Sequence, residues 1–447
     1  MSELIITVSG LRGIVGQSLS PSVAVHYVAL FAEELPHGPV VVTRDGRDSG
    51  AMYADAVRSG LTAVGRDSLD GGIAATPTTG VLLRAHAAAG GVQISASHNP
   101  SEYNGIKLFS RHGRVLPGDQ GARLADRYRS DQPKWVEHTA LGHPSALRDS
   151  VGRHAELVRG IVDVDRVRSR RFRVLLDANH GAGAVLGQPL LEQLGCQLTL
   201  LGSTPDGHFA HPPEPTEANL ADICSAIRAA GVDIGFCQDP DADRLAVIDA
   251  EGRYLGEEST LAMCVDHVLR QRTGPVVTNC ATSRMVEDLA KKHGAPFFRA
   301  AVGEANVVDS MLDHCAVLGG EGNGGVIDPR VGLVRDSFVG MALLLDAMAA
   351  RDCTIGELAD SLPRYSIHKT KIPLAAERVT AGLDALEDHF SDAAVDRMDG
   401  LRLDWPDCWL LVRPSNTEPI VRGIAEARTG AEAERLCAQA ASVLAES

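Results

Sequence analysis

The stretch GVQISASHNPSEYNGIKLF (residues 91–109) joins a core-like segment directly to a polar one. Its apolar start predicts a buried strand over Val92–Ser95, and Ser97–Pro100 then predicts a tight turn. Sheets of α/β proteins bind ligands at the carboxyl ends of their strands, so Ser97 is well placed as a nucleophile or phosphate carrier. An ordinary turn with a capping serine is the alternative. The later Lys107 favours the first interpretation, because it could return to the same site.

Strand-like and helix-like patterns alternate on both sides of this stretch, which predicts βαβ units and a mostly parallel sheet. The pattern restarts at Phe172–Leu176 and again at Pro275–Thr278. The tail differs, because Leu401–Trp405 and Trp409–Val412 predict an antiparallel hairpin and Ala431–Leu444 predicts a final helix. We therefore predict an α/β protein with three α/β domains and a C-terminal α+β domain. The predicted domains are residues 1–150, 151–252, 253–365 and 366–447.

The overall composition narrows the class of protein. A chain of 447 residues is long enough for three or four domains. Its formal net charge of −15 argues against nucleic acid or an anionic membrane as the main partner. A phosphorylated substrate is still compatible, because local arginines can oppose the global field. No run of ~18 apolar residues is present, so no transmembrane helix is expected.

Cysteine usage and the N-terminal sequence bear on location. Nine cysteines are spread from Cys196 to Cys437 without a Cys-x-x-Cys pair, which fits a reducing compartment with buried thiols. The start, MSELIITVSG, lacks the basic and apolar regions of a signal peptide. We expect a soluble cytoplasmic protein.

The segment Asp239–Arg244, DPDADR, follows the predicted strand Ile234–Cys237. Its alternate carboxylates face one way in an extended segment, where they repel one another unless a hard cation lies among them. An EF-hand is excluded because its sixth position is Arg244 and its twelfth is Ala250. A solvated acidic loop is the other alternative. Three carboxylates fit Mg²⁺ completed by a phosphoryl oxygen.

Two further loops carry polar groups in turn-forming sequence. Gly319–Gly325, GGEGNGG, has a backbone suited to positive φ or close ligand approach, and Glu321 and Asn323 could meet sugar hydroxyls. The loop Arg413–Pro419, RPSNTEP, is followed by Arg422. Its arginine, hydroxyl and backbone amide groups, together with Arg422, could form a phosphate-binding site, called here the phosphate cradle. A flexible loop and an ordinary proline-bounded turn are the respective alternatives.

Weaker signals surround these four motifs. Arg12 lies in a glycine-flanked turn, and Arg47 lies just after the first predicted long strand. Single arginines are usually solvated, so neither is decisive alone. The segment Ala301–Glu304 is a weak candidate for a substrate loop. The histidines His180, His208 and His211 lack companion ligand spacing and are expected to be structural.

Taken together and in this order, the four motifs resemble those of the α-D-phosphohexomutase superfamily over essentially the whole chain. The resemblance implies a heart-shaped enzyme of four domains, with mixed sheets in the three α/β domains and a TATA-box-binding-protein-like fourth domain. Each domain would contribute one loop to a central cleft. The enzyme would convert hexose 6-phosphate to hexose 1-phosphate through a phosphoserine and a hexose 1,6-bisphosphate, which also serves as activator.

The resemblance also implies roles for individual residues. Ser97 would carry the phosphoryl group and complete the coordination of one Mg²⁺ ion. The metal ligands would be Asp239, Asp241 and Asp243. The residues beside the transferring phosphoryl group would be Arg12 and Lys107. His98 is a further catalytic candidate, because its position next to Ser97 would let it donate to a phosphoryl oxygen. The substrate-binding residues would be Arg244, Glu321, Asn323, Arg413, Ser415, Asn416, Thr417 and Arg422.

One position departs from the pattern of many relatives, whose sugar loop ends in histidine, as Gly-Glu-x-Ser-Gly-His. Here the loop ends at Gly325, which has no side chain to assist proton transfer. Lys107, His98, Glu304 or water could take that role, and the sequence does not rank them. The N-terminal Val-Ser-Gly-Leu-Arg-Gly also replaces the commoner Gly-Thr-Ser-Gly-Ile-Arg-Gly. Both departures resemble the phosphoglucosamine mutase and phosphomannomutase branch.

Three functions remain open from the sequence. A mutase acting on glucosamine phosphate is the first expectation, with mannose or glucose phosphate as the nearest alternative. A metal-dependent sugar phosphatase and a non-catalytic phosphosugar-binding protein are the others. A small phosphosugar is the expected partner, without nucleic acid or membrane, and relatives are monomers or homodimers.

Overall fold

The computed structural model describes residues 4–415 and 420–446. In these ranges the chain forms four separate β-sheets, which follow one another along the sequence. Within the described ranges no helix is long and apolar enough to cross a bilayer.

The first sheet has seven strands in the order β1-β2-β6-β5-β3-β4-β7. Its strands are β1 Ile5–Thr7, β2 Gly10–Ile14, β3 Val40–Arg44, β4 Ser68–Ile73, β5 Gly90–Ile94, β6 Tyr103–Ser110 and β7 Pro144–Ala146. Its helices are α1 Pro21–Glu34, α2 Gly50–Ala63, α3 Thr76–Ala85 and α4 Gly118–Ser130. A 3₁₀ turn covers His138–Ala140.

This sheet is mixed, so the expectation of a mostly parallel sheet is wrong here. Strand β3 pairs in parallel with β4 and β5, whereas β5–β6, β6–β2 and β2–β1 are antiparallel. The physical reason is the short connection between β5 and β6, which contains Ser97. A parallel return needs a crossover of about a dozen residues or more, and this turn is too short for one.

The second and third sheets each have four strands, with two parallel pairs and one antiparallel pair. The second, in the order β11-β10-β8-β9, contains β8 Arg173–Asp177, β9 Gln197–Leu201, β10 Ile234–Gln238 and β11 Leu245–Asp249. The third, in the order β13-β12-β14-β15, contains β12 Val276–Asn279, β13 Phe297–Ala300, β14 Leu318–Glu321 and β15 Gly325–Ile327.

Nine helices of the described chain accompany these two sheets. They are α5 Gly152–Arg159, α6 Val164–Arg170, α7 Gly183–Gln193, α8 Ala221–Ala230, α9 Glu257–Gln271, α10 Met285–Lys292, α11 Glu304–Asp313, α12 Ser337–Arg351 and α13 Ile355–Asp360. One hydrophobic core joins the two blocks, because Phe236 of β10 and Leu261 of α9 belong to the same buried cluster as Phe338 of α12. The first and last blocks have separate main cores.

The last sheet has five antiparallel strands in the order β16-β20-β19-β18-β17, and the predicted hairpin is confirmed as β18–β19. Its strands are β16 Ser366–Pro373, β17 Ala394–Asp396, β18 Leu401–Asp404, β19 Trp409–Pro414 and β20 Ile420–Ala427. Its helices are α14 Val379–His389 and α15 Gly430–Glu446, with a 3₁₀ turn at Ala376–Arg378.

Candidate active site

The turn after β5 holds Ser97 in a left-handed backbone conformation, with φ of 52°. The residue is 1% exposed, and its backbone N–H donates to Ser95 Oγ at 2.8 Å. Its own Oγ donates to Asp239 Oδ2 of the second domain at 3.0 Å. The serine hydroxyl and the first carboxylate of the acidic loop therefore meet, although they are far apart in sequence.

Arg47, only a weak candidate from sequence, fixes the shape of this turn. Its guanidinium donates to the carbonyl oxygens of Ser97, Asn99, Pro100 and Tyr103 at 2.6–2.9 Å. Asp45 binds Arg47 Nε at 3.2 Å and also accepts from Ser95 Oγ at 2.6 Å. The only sequence signal for this role is the position of Arg47 just after β3, the strand beside β5.

The acidic loop after β10 brings Asp239, Asp241 and Asp243 together, each with 0% exposure. One carboxylate oxygen from each lies within 4.8 Å of the others. Asp241 Oδ1 and Asp243 Oδ1 are buried without a hydrogen-bond partner among the described residues. Buried, unpaired carboxylate oxygens are costly, and hard oxygen donors of this kind fit Mg²⁺. The residues present therefore suit the expected metal.

Nearby positive charges offset the three carboxylates to different extents. Burial, together with Asp243 and Asp241, raises the pKa of Asp239 well above its usual range. Burial would also raise the pKa of Asp243, but Arg335, Lys107 and Arg244 outweigh burial and hold it below its usual range. A bound cation would relieve the remaining repulsion among these groups.

Lys107 and Arg12 reach the site from neighbouring antiparallel strands. The β2–β6 register places Gly10 opposite Lys107 and Arg12 opposite Gly105, so the two basic side chains share a face. Lys107 Nζ donates to Asp241 and, at 3.2 Å, to Asp243 Oδ2. Arg12 Nη1 donates to Asn99 Oδ1 at 3.4 Å. Both predicted cations therefore lie around the Ser97 turn.

His98 and Arg244 also lie beside the Ser97 turn and the acidic loop. His98 Nδ1 lies 3.4 Å from Ser97 Oγ, and burial beside Arg244 and Arg12 lowers the pKa of His98 to about 3. The imidazole is consequently neutral near pH 7. Arg244 Nε is buried without a hydrogen-bond partner among the described residues, and Arg244 Nη1 lies 3.7 Å from Glu214 Oε1. Arg244 is thus a donor available to an anionic ligand.

The glycine-rich loop links β14 to β15, and Glu321 ends β14. Glu321 Oε1 accepts from Asn279 Nδ2 at 2.7 Å and from the Gly303 N–H at 3.2 Å. Asn323 Oδ1 accepts from the Gly325 N–H at 3.2 Å, so this side chain stabilises its own loop. The loop is shaped by close packing, since a Cβ on Gly324 would lie 2.4 Å from Leu245 O.

Two charged side chains beside this loop extend the predicted site. Arg335 contacts Glu321, Asp243 and Glu304, and it lies outside every motif, so the sequence does not indicate it. Glu304, weakly indicated by sequence, begins α11. Burial raises the pKa of Glu304 to about 7, although Arg335 opposes the rise.

The predicted phosphate cradle lies on the fourth sheet, where Arg413 is paired directly with Arg422 across β19 and β20. Lys371 of β16, which sequence analysis also missed, is paired with Arg422 on its other side. Ser415 N donates to Ile420 O at 2.9 Å and closes the hairpin. Asn416 and Thr417 lie outside the described residues. Arg413 Nε also lies 3.1 Å from Asp399 Oδ2, which offsets part of this positive charge. The three basic residues on adjacent strands nevertheless suit an anionic ligand.

Comparison with a solved structure defines the class of protein. The chain is 27% identical to the phosphoglucomutase/phosphomannomutase family protein of Burkholderia thailandensis, whose crystal structure it matches with a TM-score of 0.86. The match covers 98% of this chain and 96% of that one. The predicted four-domain α-D-phosphohexomutase fold is thereby confirmed.

Family models and relatives identify the family. The models for phosphoglucomutase/phosphomannomutase alpha/beta/alpha domains I, II and III and for the C-terminal domain match residues 4–134, 153–252, 257–365 and 371–443. The chain therefore belongs to the phosphoglucomutase/phosphomannomutase family. Members of this family are mutases, and the chain is an isomerase acting on sugar phosphates.

Two curated relatives carry different substrate names. One, from Thermococcus kodakarensis, is 38% identical over 432 residues, covers 94% of both chains and is named "Phosphoglucomutase/phosphomannomutase". Another, from Pyrococcus horikoshii, is 33% identical over 441 residues and is named "Probable phosphoglucosamine mutase". That second match covers 98% of this chain and 96% of the relative.

Proposed function

We propose that this isomerase interconverts hexose 6-phosphate and hexose 1-phosphate through a phosphoryl group carried on Ser97. The observation that supports this most directly is the meeting of Ser97 Oγ with Asp239 Oδ2 at 3.0 Å, beside Lys107. A nucleophilic hydroxyl, three carboxylates and an ammonium group are the parts that phosphoryl transfer needs for positioning and charge neutralisation.

The arrangement suggests a role for each group. Asp239, Asp241 and Asp243 would hold Mg²⁺, which polarises a phosphoryl oxygen when bound. Lys107 and Arg12 would offset the negative charge of the transferring group. The buried Ser97 turn would keep water away from the phosphoserine and limit its hydrolysis.

The reaction would proceed in two phosphoryl transfers. A sugar hydroxyl attacks phospho-Ser97, so that the sugar O–P bond forms as the P–Oγ bond breaks, while the hydroxyl loses a proton and Ser97 Oγ gains one. The bisphosphate then turns end for end and its other phosphoryl group returns to Ser97. Arg413, Arg422 and Lys371 would hold the phosphate that is not reacting in either orientation.

Glucosamine phosphate is the substrate that we propose first. The carboxylates of Glu321 and Glu304 lie beside the sugar loop, where both contact Arg335, and their oxygens could accept hydrogen bonds from a C2 ammonium. The relative from Pyrococcus horikoshii supports this choice by its name. The relative from Thermococcus kodakarensis instead favours glucose or mannose phosphate, which is the second candidate.

The test is a ³¹P NMR time course with Mg²⁺ and a hexose 1,6-bisphosphate as activator. The 6-phosphates of glucosamine, mannose and glucose are supplied separately, and appearance of the matching 1-phosphate is followed. We expect S97A to be inactive and S101A, a change at an exposed serine in the same turn, to keep wild-type activity. Release of inorganic phosphate alone would indicate a phosphatase. Binding without turnover in wild type would indicate a non-catalytic phosphosugar-binding protein.

A further inference from the structure

Position 325, the first residue of β15, has no space for a side chain. A Cβ there would lie 2.3 Å from Arg335 Cδ and 2.8 Å from its Cγ. The backbone of Gly325 is not left-handed, so its conformation does not itself require glycine. The glycine is needed because the stem of Arg335 fills the place that a side chain at 325 would take.

The guanidinium at the end of that stem joins three loops. Arg335 Nη1 donates to Glu321 Oε2 at the end of β14, and Nη2 donates to Asp243 Oδ2 in the acidic loop at 2.7 Å. Arg335 Nε lies 3.0 Å from Glu304 Oε2 at the start of α11. The side chain is 12% exposed. Burial would lower its pKa, but these carboxylates raise the pKa further above its ordinary value and keep the group charged.

Glu304 forms an ion pair with Arg335 through only one of its two carboxylate oxygens. Its Oε2 faces Arg335, whereas its Oε1 is buried without a hydrogen-bond partner among the described residues. A buried acceptor without a partner is unfavourable, and a hydrogen-bond donor on a ligand would offset that cost. Sugar hydroxyls and a sugar ammonium are donors of the required kind.

We propose that Arg335 is a positioning residue of the phosphosugar site, filling the place of a side chain at 325 and orienting Glu321 and Glu304 toward the sugar. Glu304 Oε1 accordingly accepts a hydrogen bond from the sugar. This inference rests on the proposed function, because it takes a sugar phosphate as the ligand. It makes Gly325 and Arg335 a coupled pair, in which either change alone disturbs the same carboxylates.

The test is a double-mutant cycle with R335A and G325A. Steady-state kinetics are measured for each variant with the hexose phosphate that gives the wild type its highest kcat/KM. We expect R335A either to raise KM or to lower kcat/KM, in each case roughly 10- to 100-fold. The reason is that the substitution leaves buried carboxylates without their partner. G325A should cause a similar loss by displacing Arg335. The double variant should lose little more than either single variant, because both changes act through the same side chain.

Control variants separate positioning from folding. A Cβ on Gly332 would meet no atom closer than 3.7 Å, so G332A should keep wild-type KM and kcat. R335K keeps the charge but cannot reach three carboxylates at once, and it should recover part of the loss without a change in melting temperature. E304Q keeps the shape of the side chain and should weaken sugar binding less than R335A.

Binding gives a readout that does not need turnover. Calorimetry with glucosamine 6-phosphate and with glucose 6-phosphate compares S97A with S97A/R335A and S97A/G325A. Wild-type affinity in both double variants, or independent and additive losses in the kinetic cycle, would overturn the inference. Absence of turnover by wild type would instead contradict the proposed function, and the two failures are therefore distinguishable.

Discussion

At the scale of single residues, Arg47 and Asp45 show how the shape of the Ser97 turn depends on buried groups outside the turn. Arg47 is 2% exposed and Asp45 is 0% exposed. Four backbone carbonyl groups of the Ser97 turn have Arg47 as a donor. Arg47, which follows the neighbouring strand β3, therefore holds the Ser97 turn in its conformation.

The R47A substitution should destabilise the protein by about 3–5 kcal/mol, because it leaves the buried Asp45 charge without its partner. Urea unfolding followed by circular dichroism measures this change. R111A, at an exposed arginine of the same domain, should stay within about 0.5 kcal/mol of wild type. A stable R47A protein with full activity would contradict the role assigned to Arg47.

Metal binding is a second prediction at this scale. Mg²⁺ at 100 times its dissociation constant should stabilise the wild type by about 2.7 kcal/mol, and a chelator should remove the effect. D241N should lose most of this stabilisation, because Asp241 Oδ1 is one of the unpaired carboxylate oxygens. Thermal melting with and without MgCl₂ makes the comparison, with E251Q at an exposed carboxylate as the control. An unchanged Mg²⁺ effect in D241N would place the ion elsewhere.

At the scale of secondary-structure elements, the start of α12 determines where Arg335 points. Asp336 is the N-cap of this helix, and its Oδ1 accepts from the N–H groups of Phe338 and Val339. Its Oδ2 lies 2.7 Å from His154 Nε2 in the second domain. One carboxylate thus fixes both the first turn of the helix and its contact with the neighbouring domain.

We expect D336A to lower stability by about 1–3 kcal/mol, since it removes a cap and leaves buried donors unpaired. It should also raise KM for the sugar phosphate, because Arg335 is the adjacent residue. D336N keeps most of the cap and should be milder. T354A, which breaks the capping box of α13, should cost about 1 kcal/mol with no effect on KM. Equal effects of D336A and T354A on KM would refute the link to Arg335.

At the scale of the whole molecule, the fourth domain packs against the third through a polar interface. Arg284 at the start of α10 donates to the carbonyl oxygens of Trp405, Pro406 and Cys408 and to Asp404 Oδ1. Arg402 reaches back to Cys280 O, and Trp409 shares a small core with Cys280. The proposed turning of a bisphosphate would require motion at this interface, and we expect its hinge near residue 365.

R284A should loosen this interface without disturbing the Ser97 turn. Hydrogen exchange in β18 and β19 should speed up about tenfold, which corresponds to roughly 1.4 kcal/mol of local stability. Mass spectrometry of exchanged peptides measures this, with peptides from β5 and β6 as the internal reference. Unchanged exchange in β18 and β19 would show that Arg284 does not hold the two domains together.

The sequence by itself determined the class of domains and predicted most of the groups that we propose to react. Ser97, Lys107 and the three aspartates stand in short motifs beside strand ends, where local chemistry and the period of the strands are enough to predict a site. The predicted hairpin and final helix follow equally from local pattern. These features depend on neighbours in the chain.

Only the tertiary structure decided how the motifs are placed relative to one another and which other residues contact and position them. Arg47, Arg335 and Lys371 lie in no recognisable motif, because their roles depend on partners in other elements. The glycine at 325 is explained chiefly by the stem of Arg335, which lies ten residues further along the chain. Long-range packing and charge pairing decide such positions, and no local pattern in the sequence records them.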